Sequence, residues 1–189
     1  MKRGPKPVIA FLVALLVIGG LAACGDTTPT PEPISVQERF QQGNDYARAG
    51  EFEKAIAEYQ AILEVEPDNV SALTNLGVAY YSSGKLDEAI AQYTKAIKLA
   101  PEDADIRSNL AAAYVQANQL DKALETYQQA IDLNPDLAEA YFGLGVIYFQ
   151  MGHTAEAIQA FEKFQEQDTG NDPIASEQAE QYLQQLGGQ

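Results

Sequence analysis

The segment Val70–Asp103 reads VSALTNLGVAYYSSGKLDEAIAQYTKAIKLAPED. With Val70 as slot 1, Leu73, Leu76, Gly77 and Tyr80 fall at slots 4, 7, 8 and 11. That is the i, i+3, i+4, i+7 stripe of an amphipathic helix. Gly84 at slot 15 ends it, since glycine adopts the left-handed backbone of a helix C-terminus without steric cost. A second helix is predicted over slots 17 to 30, Leu86 to Leu99, with Ala89 and Tyr93 on its inner stripe. Pro101 at slot 32 then forbids continuation. Two short helices in 34 residues cannot bury their apolar faces alone, so the segment needs neighbours like itself.

The neighbours are in the sequence. Pro67, Pro101 and Pro135 are spaced by 34 residues, as are Ala55, Ala89, Ala123 and Ala157. Tyr46, Tyr80, Tyr114 and Tyr148 form a column at slot 11, and Tyr59, Tyr93, Tyr127 and Phe161 another. Gly43, Gly77, Ala111 and Gly145 share slot 8; Gly50, Gly84, Asn118 and Gly152 share slot 15. Copies begin at Val36, Val70, Ala104 and Ala138. The pattern resembles the tetratricopeptide repeat over residues 36–171. The resemblance implies an all-α, right-handed superhelical array of antiparallel helix pairs, with units at 36–69, 70–103, 104–137 and 138–171. Small residues at slot 8 let the two helices of a unit approach, and the slot 11 tyrosines are expected to cover the gap and belong to the core.

Both ends deviate. The first copy has Arg39 and Gln42 on its inner stripe, as expected where nothing packs on the outer side. After the fourth, Asp172-Pro173 predicts an N-cap and a first helical residue. Ile174 to Leu186 then places Ala175, Ala179 and Tyr182 at slots 4, 8 and 11 of a would-be fifth copy. Its remaining polar face fits a capping helix over residues 172–189, which an array needs for solubility.

Upstream, Lys2, Arg3 and Lys6 precede the apolar run Val8–Ile18, followed by Gly19, Gly20 and Leu21-Ala22-Ala23-Cys24. A basic start, a short apolar run and small residues predict a secretory leader. Val8 to Ala23 is 16 residues, short of the roughly 20 a spanning helix needs. Leu21-Ala22-Ala23-Cys24 resembles the bacterial lipobox, which implies cleavage after residue 23 and lipid, palmitate included, on Cys24. Acyl chains would then hold the chain on a bilayer in an extracytoplasmic compartment, at about 0.8 kcal/mol per buried methylene. Residues 24–35, rich in Pro and Thr, make the tether.

Composition excludes several functions. The 189 residues carry 12 Lys+Arg against 27 Asp+Glu, a formal charge of −15, and loss of the leader's three cations leaves −18. Nucleic acid and anionic headgroups both call for basic patches, so neither is an expected partner. One Cys and one His give neither an internal disulfide nor a zinc site. No phosphate loop, paired-cysteine motif or nucleophile elbow occurs, so no catalytic residue, metal or cofactor is expected. His153 shares slot 16 with Glu51, Lys85 and Gln119, a solvated turn. Glu53, Glu58, Asp87, Glu88, Asp121, Glu125 and Glu162 read as solvated faces of second helices.

The first helices carry a better signal. Slots 5, 9 and 12 face away from the inner stripe, yet they read Phe40, Asn44, Ala47; Thr74, Val78, Tyr81; Ser108, Ala112, Val115; and Phe142, Val146, Phe149. In the family resembled, this side lines a concave partner groove, and asparagines such as Asn75 and Asn109 at slot 6 bond a bound peptide's backbone. The candidate groove set is Phe40, Asn44, Arg48, Asn75, Val78, Tyr81, Asn109, Val115, Phe142, Val146 and Phe149. Tyr81, Phe142 and Phe149 lead it, because aromatics anchor most interfaces. Part of that apolar character serves packing between neighbouring first helices. The basic clamp by which some relatives hold acidic tails is missing, with Asp105 and Glu139 at slot 2 and only Arg48 at slot 13.

The expectation is a lipid-anchored adaptor that binds a neutral or basic segment of another protein, without chemistry. Lipoproteins it resembles take part in envelope assembly. The rivals are a self-associating structural lipoprotein and, more remotely, a carboxylate-based hydrolase. The oligomeric state stays open.

Overall fold

The computed structural model describes residues 34–168, 170 and 172–187. The expected leader, Cys24 and the expected tether as far as Pro33 lie outside the described residues. Within them nine helices follow one another: α1 (Val36–Arg48), α2 (Phe52–Val65), α3 (Val70–Ser82), α4 (Leu86–Leu99), α5 (Ala104–Gln116), α6 (Leu120–Leu133), α7 (Ala138–Gln150), α8 (Thr154–Gln167) and α9 (Pro173–Gly187). No strand occurs among the described residues, and no helix there is long and apolar enough to cross a membrane.

Local chemistry sets the boundaries. Slot 15 has positive φ in every copy: 74° at Gly50, 77° at Gly84, 56° at Asn118 and 75° at Gly152. The next residue then donates its N–H to the slot 11 carbonyl: Glu51 to Tyr46 at 2.9 Å, Lys85 to Tyr80 at 2.9 Å, Gln119 to Tyr114 at 2.8 Å and His153 to Tyr148 at 2.9 Å. This closure satisfies a carbonyl left over at the helix end and reverses the chain. At the N-termini, Asn69 accepts from the Ala72 N–H and Asp103 from the Ile106 N–H. Ser35 and Glu38 form a reciprocal capping box on α1. That box holds the Glu38 carboxyl below its usual range, because it accepts from the Ser35 backbone and hydroxyl. Asp172 accepts from the Ile174 and Ala175 N–H groups, both at 3.0 Å, and so caps α9 as its Asp-Pro dipeptide predicts.

The helices stack as an array of antiparallel pairs. α1 packs on α2, α3 on α4, α5 on α6 and α7 on α8; each second helix then meets the next first helix, and α9 closes on α8. The tightest point within a unit is slot 8. A Cβ at Gly43 would fall 2.7 Å from the Tyr59 ring, one at Gly77 2.6 Å from Tyr93, and one at Gly145 2.6 Å from Phe161. The ring that fills this gap therefore comes from the second helix, at slot 24. The slot 11 tyrosines do not cover it. They are half-buried against the core at the unit's turn, where Lys54 sits over Tyr46, Lys85 over Tyr80, Lys122 over Tyr114, and His153 stacks on Tyr148.

The third unit breaks the column. Its slot 8 is Ala111, which already carries a methyl group, and the slot 24 ring, Tyr127, lies against Gly143 of the next unit. A Cβ there would be 2.2 Å from Tyr127 Cζ.

Two further expectations change. Slots 3 and 10 are as buried as the inner stripe: Ala72 with Ala79, Ile106 with Ala113, and Ala140 with Ile147. Inner first helices are thus covered on their own partner's side and by neighbouring units as well. Glu58, read from sequence as part of a solvated face, instead pairs with Arg39 of the inner stripe across α1 and α2 at 2.9 Å, with side chains only 19% and 29% exposed. α9 caps the array by burying Ala179 and Leu186 and stacking Tyr182 on Phe161, 4.9 Å between centroids.

Candidate functional site: a cleft at the third and fourth units

A cleft of about 900 Å³ opens along the first helices of the last two units. α5 supplies Ser108, Asn109, Ala112, Val115 and Gln116; α7 supplies Ala138, Glu139, Phe142, Gly143 and Val146. Tyr81 enters from α3, Tyr127 from α6 and Phe164 from α8. The far wall is Ile174, Ala175 and Gln178 of the capping helix. Its volume lies in the range of ligand pockets, and its lining mixes aromatic rings with a few polar groups, as such sites do.

The sequence-derived groove set divides here. Tyr81, Asn109, Val115, Phe142 and Val146 line the cleft. The other candidates lie outside it. Asn44 accepts from the Tyr59 hydroxyl at 2.7 Å and from the Asn75 amide at 3.4 Å, so these two amides serve each other. Phe40 packs towards Tyr59, with 6.4 Å between centroids. Arg48 pairs with Asp45 on the surface at 2.8 Å. Val78 is exposed but outside the cleft. Phe149 packs on Tyr182 at 4.8 Å and belongs to the junction with α9. Even Phe142 is shared: its ring meets Phe161 and Phe164 edge-on at 5.8 and 5.3 Å.

Sequence reading missed three contributions. The first is Tyr127, assigned to the core with its column. It is 5% exposed and lines the cleft, and its hydroxyl has no hydrogen-bond partner among the described residues. No described side-chain polar atom is sealed in without a partner, so this hydroxyl opens on the cleft. Burial, with Tyr81 close by, pushes its pKa well above the tyrosine range and keeps it a donor. The second is the capping helix as a wall. The third is charge: Asp136, Glu139, Asp168 and Asp172 all line the cleft, and among the described residues no Lys, Arg or His does. Asp168 accepts from the Gly170 N–H at 3.1 Å and from the Ser176 hydroxyl, while Asp172 caps α9. The repeat columns show part of this rim, since Asp136 shares its slot with Asp68 and Glu102 and Glu139 its slot with Asp105, but they do not show that Asp168 and Asp172, beyond the end of α8, join them at one cleft.

No group of three or more His, Cys, Asp or Glu that could hold a metal occurs among the described residues. The Tyr127 hydroxyl, its pKa raised by burial, stays protonated at neutral pH.

Four family models fall on the array. Two described as tetratricopeptide repeat match residues 40–104 and 81–130, a third so described matches 138–171, and one described as TPR repeat matches 112–152. Residues 40–171 are tetratricopeptide repeats. The cleft thus lies on the last two repeats and the capping helix that follows them. No curated protein sequence matches the chain. Among solved structures it is similar to the MamA protein, at 28% identity over 81% of this chain and 86% of that one, with a TM-score of 0.65. It is similar to a tetratricopeptide repeat protein from Parabacteroides merdae at 28% identity, covering 81% of this chain and 60% of that one, with a TM-score of 0.66. The TPR2B domain of yeast Sti1, solved in complex with pHsp70, shares the fold at 23% identity, 63% and 96% coverage and a TM-score of 0.59.

Proposed function

We propose that this protein is a lipid-anchored, extracytoplasmic repeat adaptor that holds a segment of a partner protein in the cleft of its last two repeats. The observation that carries the reading is the cleft itself: aromatic rings and an unpartnered hydroxyl converge on the first-helix face of the array. The Tyr127 hydroxyl, open to the cleft and without a partner among the described residues, offers a bound segment a hydrogen-bond donor. Recognition needs no bond making, and the array supplies a preorganised surface that loses little entropy on binding. The lipobox-like Leu21-Ala22-Ala23-Cys24 supports an anchor on Cys24, with the Pro/Thr-rich tether spacing the repeats from the bilayer.

Two measurements test the reading. A photo-crosslinking residue at Tyr81 or Val146 is expected to capture a discrete partner in the native envelope, and one at exposed Val65 is not. Equal labelling from both positions contradicts the cleft as the binding surface. Cys24→Ala is expected to move the protein from the membrane to the soluble fraction; retention on membranes removes the lipid anchor.

A further inference from the structure

We infer that the segment held in the cleft is basic and presents an arginine, whose guanidinium sits between the aromatic floor and the acidic rim. This deepens the adaptor reading and rests on it. Charge gives the first argument. Asp136, Glu139, Asp168 and Asp172 line one cleft with no basic side chain among the described residues, and Asp136 and Glu139 make no ion pair with any described residue. An acidic segment would be repelled and a neutral one would leave this field unused.

The floor gives the second. Tyr81, Tyr127 and Phe142 line the same cleft as those carboxylates and offer it ring surface. A guanidinium satisfies both at once, because its plane stacks on aromatic rings while its fork bonds carboxylates; an ammonium is more strongly hydrated and lacks the fork.

Tyr127 shows that the arginine arrives on a chain. In the first repeat the equivalent Tyr59 hydroxyl donates to the Asn44 side chain at 2.7 Å. The residue in Asn44's place in the third repeat is Ala112, also in the cleft, which has no side-chain acceptor. The Tyr127 hydroxyl is left to donate to an incoming oxygen, and Gly143 clears the space it occupies. A main-chain carbonyl beside the arginine supplies that oxygen; a free guanidinium or ammonium has none. At the mouth, Ile174 is 68% exposed and offers apolar area to a neighbouring residue of the segment.

The test uses the full chain in non-ionic detergent. Random dodecapeptides displayed on phage are selected on it, and a fluorescein-labelled Ser-Leu-Arg-Leu-Ser peptide is compared by anisotropy with its citrulline counterpart, which keeps the shape without the charge. Arginine enrichment among the selected peptides and a preference of about tenfold for arginine over citrulline are expected, both fading at high salt. Asp136→Asn with Glu139→Gln is expected to erase that preference, with helix content by circular dichroism unchanged. Tyr127→Phe is expected to weaken both peptides alike by about fivefold, the size of one lost hydrogen bond. Equal binding of the two peptides, or selection of neutral or acidic sequences, overturns the inference while leaving the adaptor reading standing. Selection of no peptide at all overturns both. If free arginine amide competes as well as the peptide does, the cleft is a small-cation site and the segment is wrong.

Discussion

Adding one methyl group at Gly143 tests the most unusual packing in the array. An ideal Cβ there lies 2.2 Å from Tyr127 Cζ and 2.5 Å from both Cε2 and the hydroxyl oxygen. Carbon atoms in good contact sit about 3.5–4.0 Å apart, so the overlap exceeds 1 Å across the edge of a buried ring. Overpacking of this kind costs about 1–3 kcal/mol, and the depth of the clash puts Gly143→Ala near the top, about 3 kcal/mol. Alanine in place of glycine inside a helix returns about 1 kcal/mol. The net loss is then about 2 kcal/mol, or a Tm lower by about 4–8 °C for a chain of this size. Urea unfolding followed by circular dichroism reads it directly. The second half of the test is Ala111→Gly in the same background. Removing the Ala111 methyl reopens the slot over which Tyr59, Tyr93 and Phe161 lie in the other repeats, so the double variant is expected to recover at least about 1 kcal/mol relative to additivity. A Gly143→Ala protein as stable as the parent, or a strictly additive double variant, would falsify the account of why the third repeat departs from the others.

Three more expectations follow from single positions. Gly84→Ala is expected to cost about 1 kcal/mol although nothing lies within 4 Å of the added methyl, because φ there is 77° and the strain is in the backbone alone; an unchanged urea midpoint contradicts it. Tyr182→Ala removes the stack on Phe161 and the contact with Phe149, and is expected to speed hydrogen exchange through α9 while α1 to α4 stay protected; uniform loss of protection would mean the cap is not a separable element. For Glu38, the Ser35 hydrogen bonds lower the folded pKa, so the capping box contributes at neutral pH and its contribution is lost as pH falls through that lowered value. Titration by NMR is expected to place the Glu38 midpoint below that of a Ser35→Ala protein, and coincident midpoints would count against the box.

The helices and their ends were legible because each is written locally. Gly84 and Asn118 mark left-handed turns, Asn69 and Asp103 mark caps, and Pro101 marks a stop, all within a few residues of what they control. Which ring closes a unit was not legible: Tyr80 and Tyr93 are both column tyrosines, and only the packing shows that Tyr93 meets Gly77. The lining of the cleft was half legible. The apolar first-helix face pointed to Tyr81, Val115, Phe142 and Val146, and the family resemblance to Asn109, but the face rule also selected Phe149, which serves the junction with α9. A pattern repeated in every copy cannot say which copies form a cavity.

By itself, then, the sequence determined the repeat length, the helix pairs, the turns between them and the capping helix at the end. Helix propensity, caps and left-handed turns act over a few residues, so a 34-residue period records them in full. Only the tertiary structure decided where a ligand could sit. Tyr127, Glu139, Asp168 and Ile174 come from four different elements, and each obeys its own local pattern. Stacking brings them around one cleft, and Ala112, standing where Asn44 accepts from Tyr59, leaves the Tyr127 hydroxyl open to it.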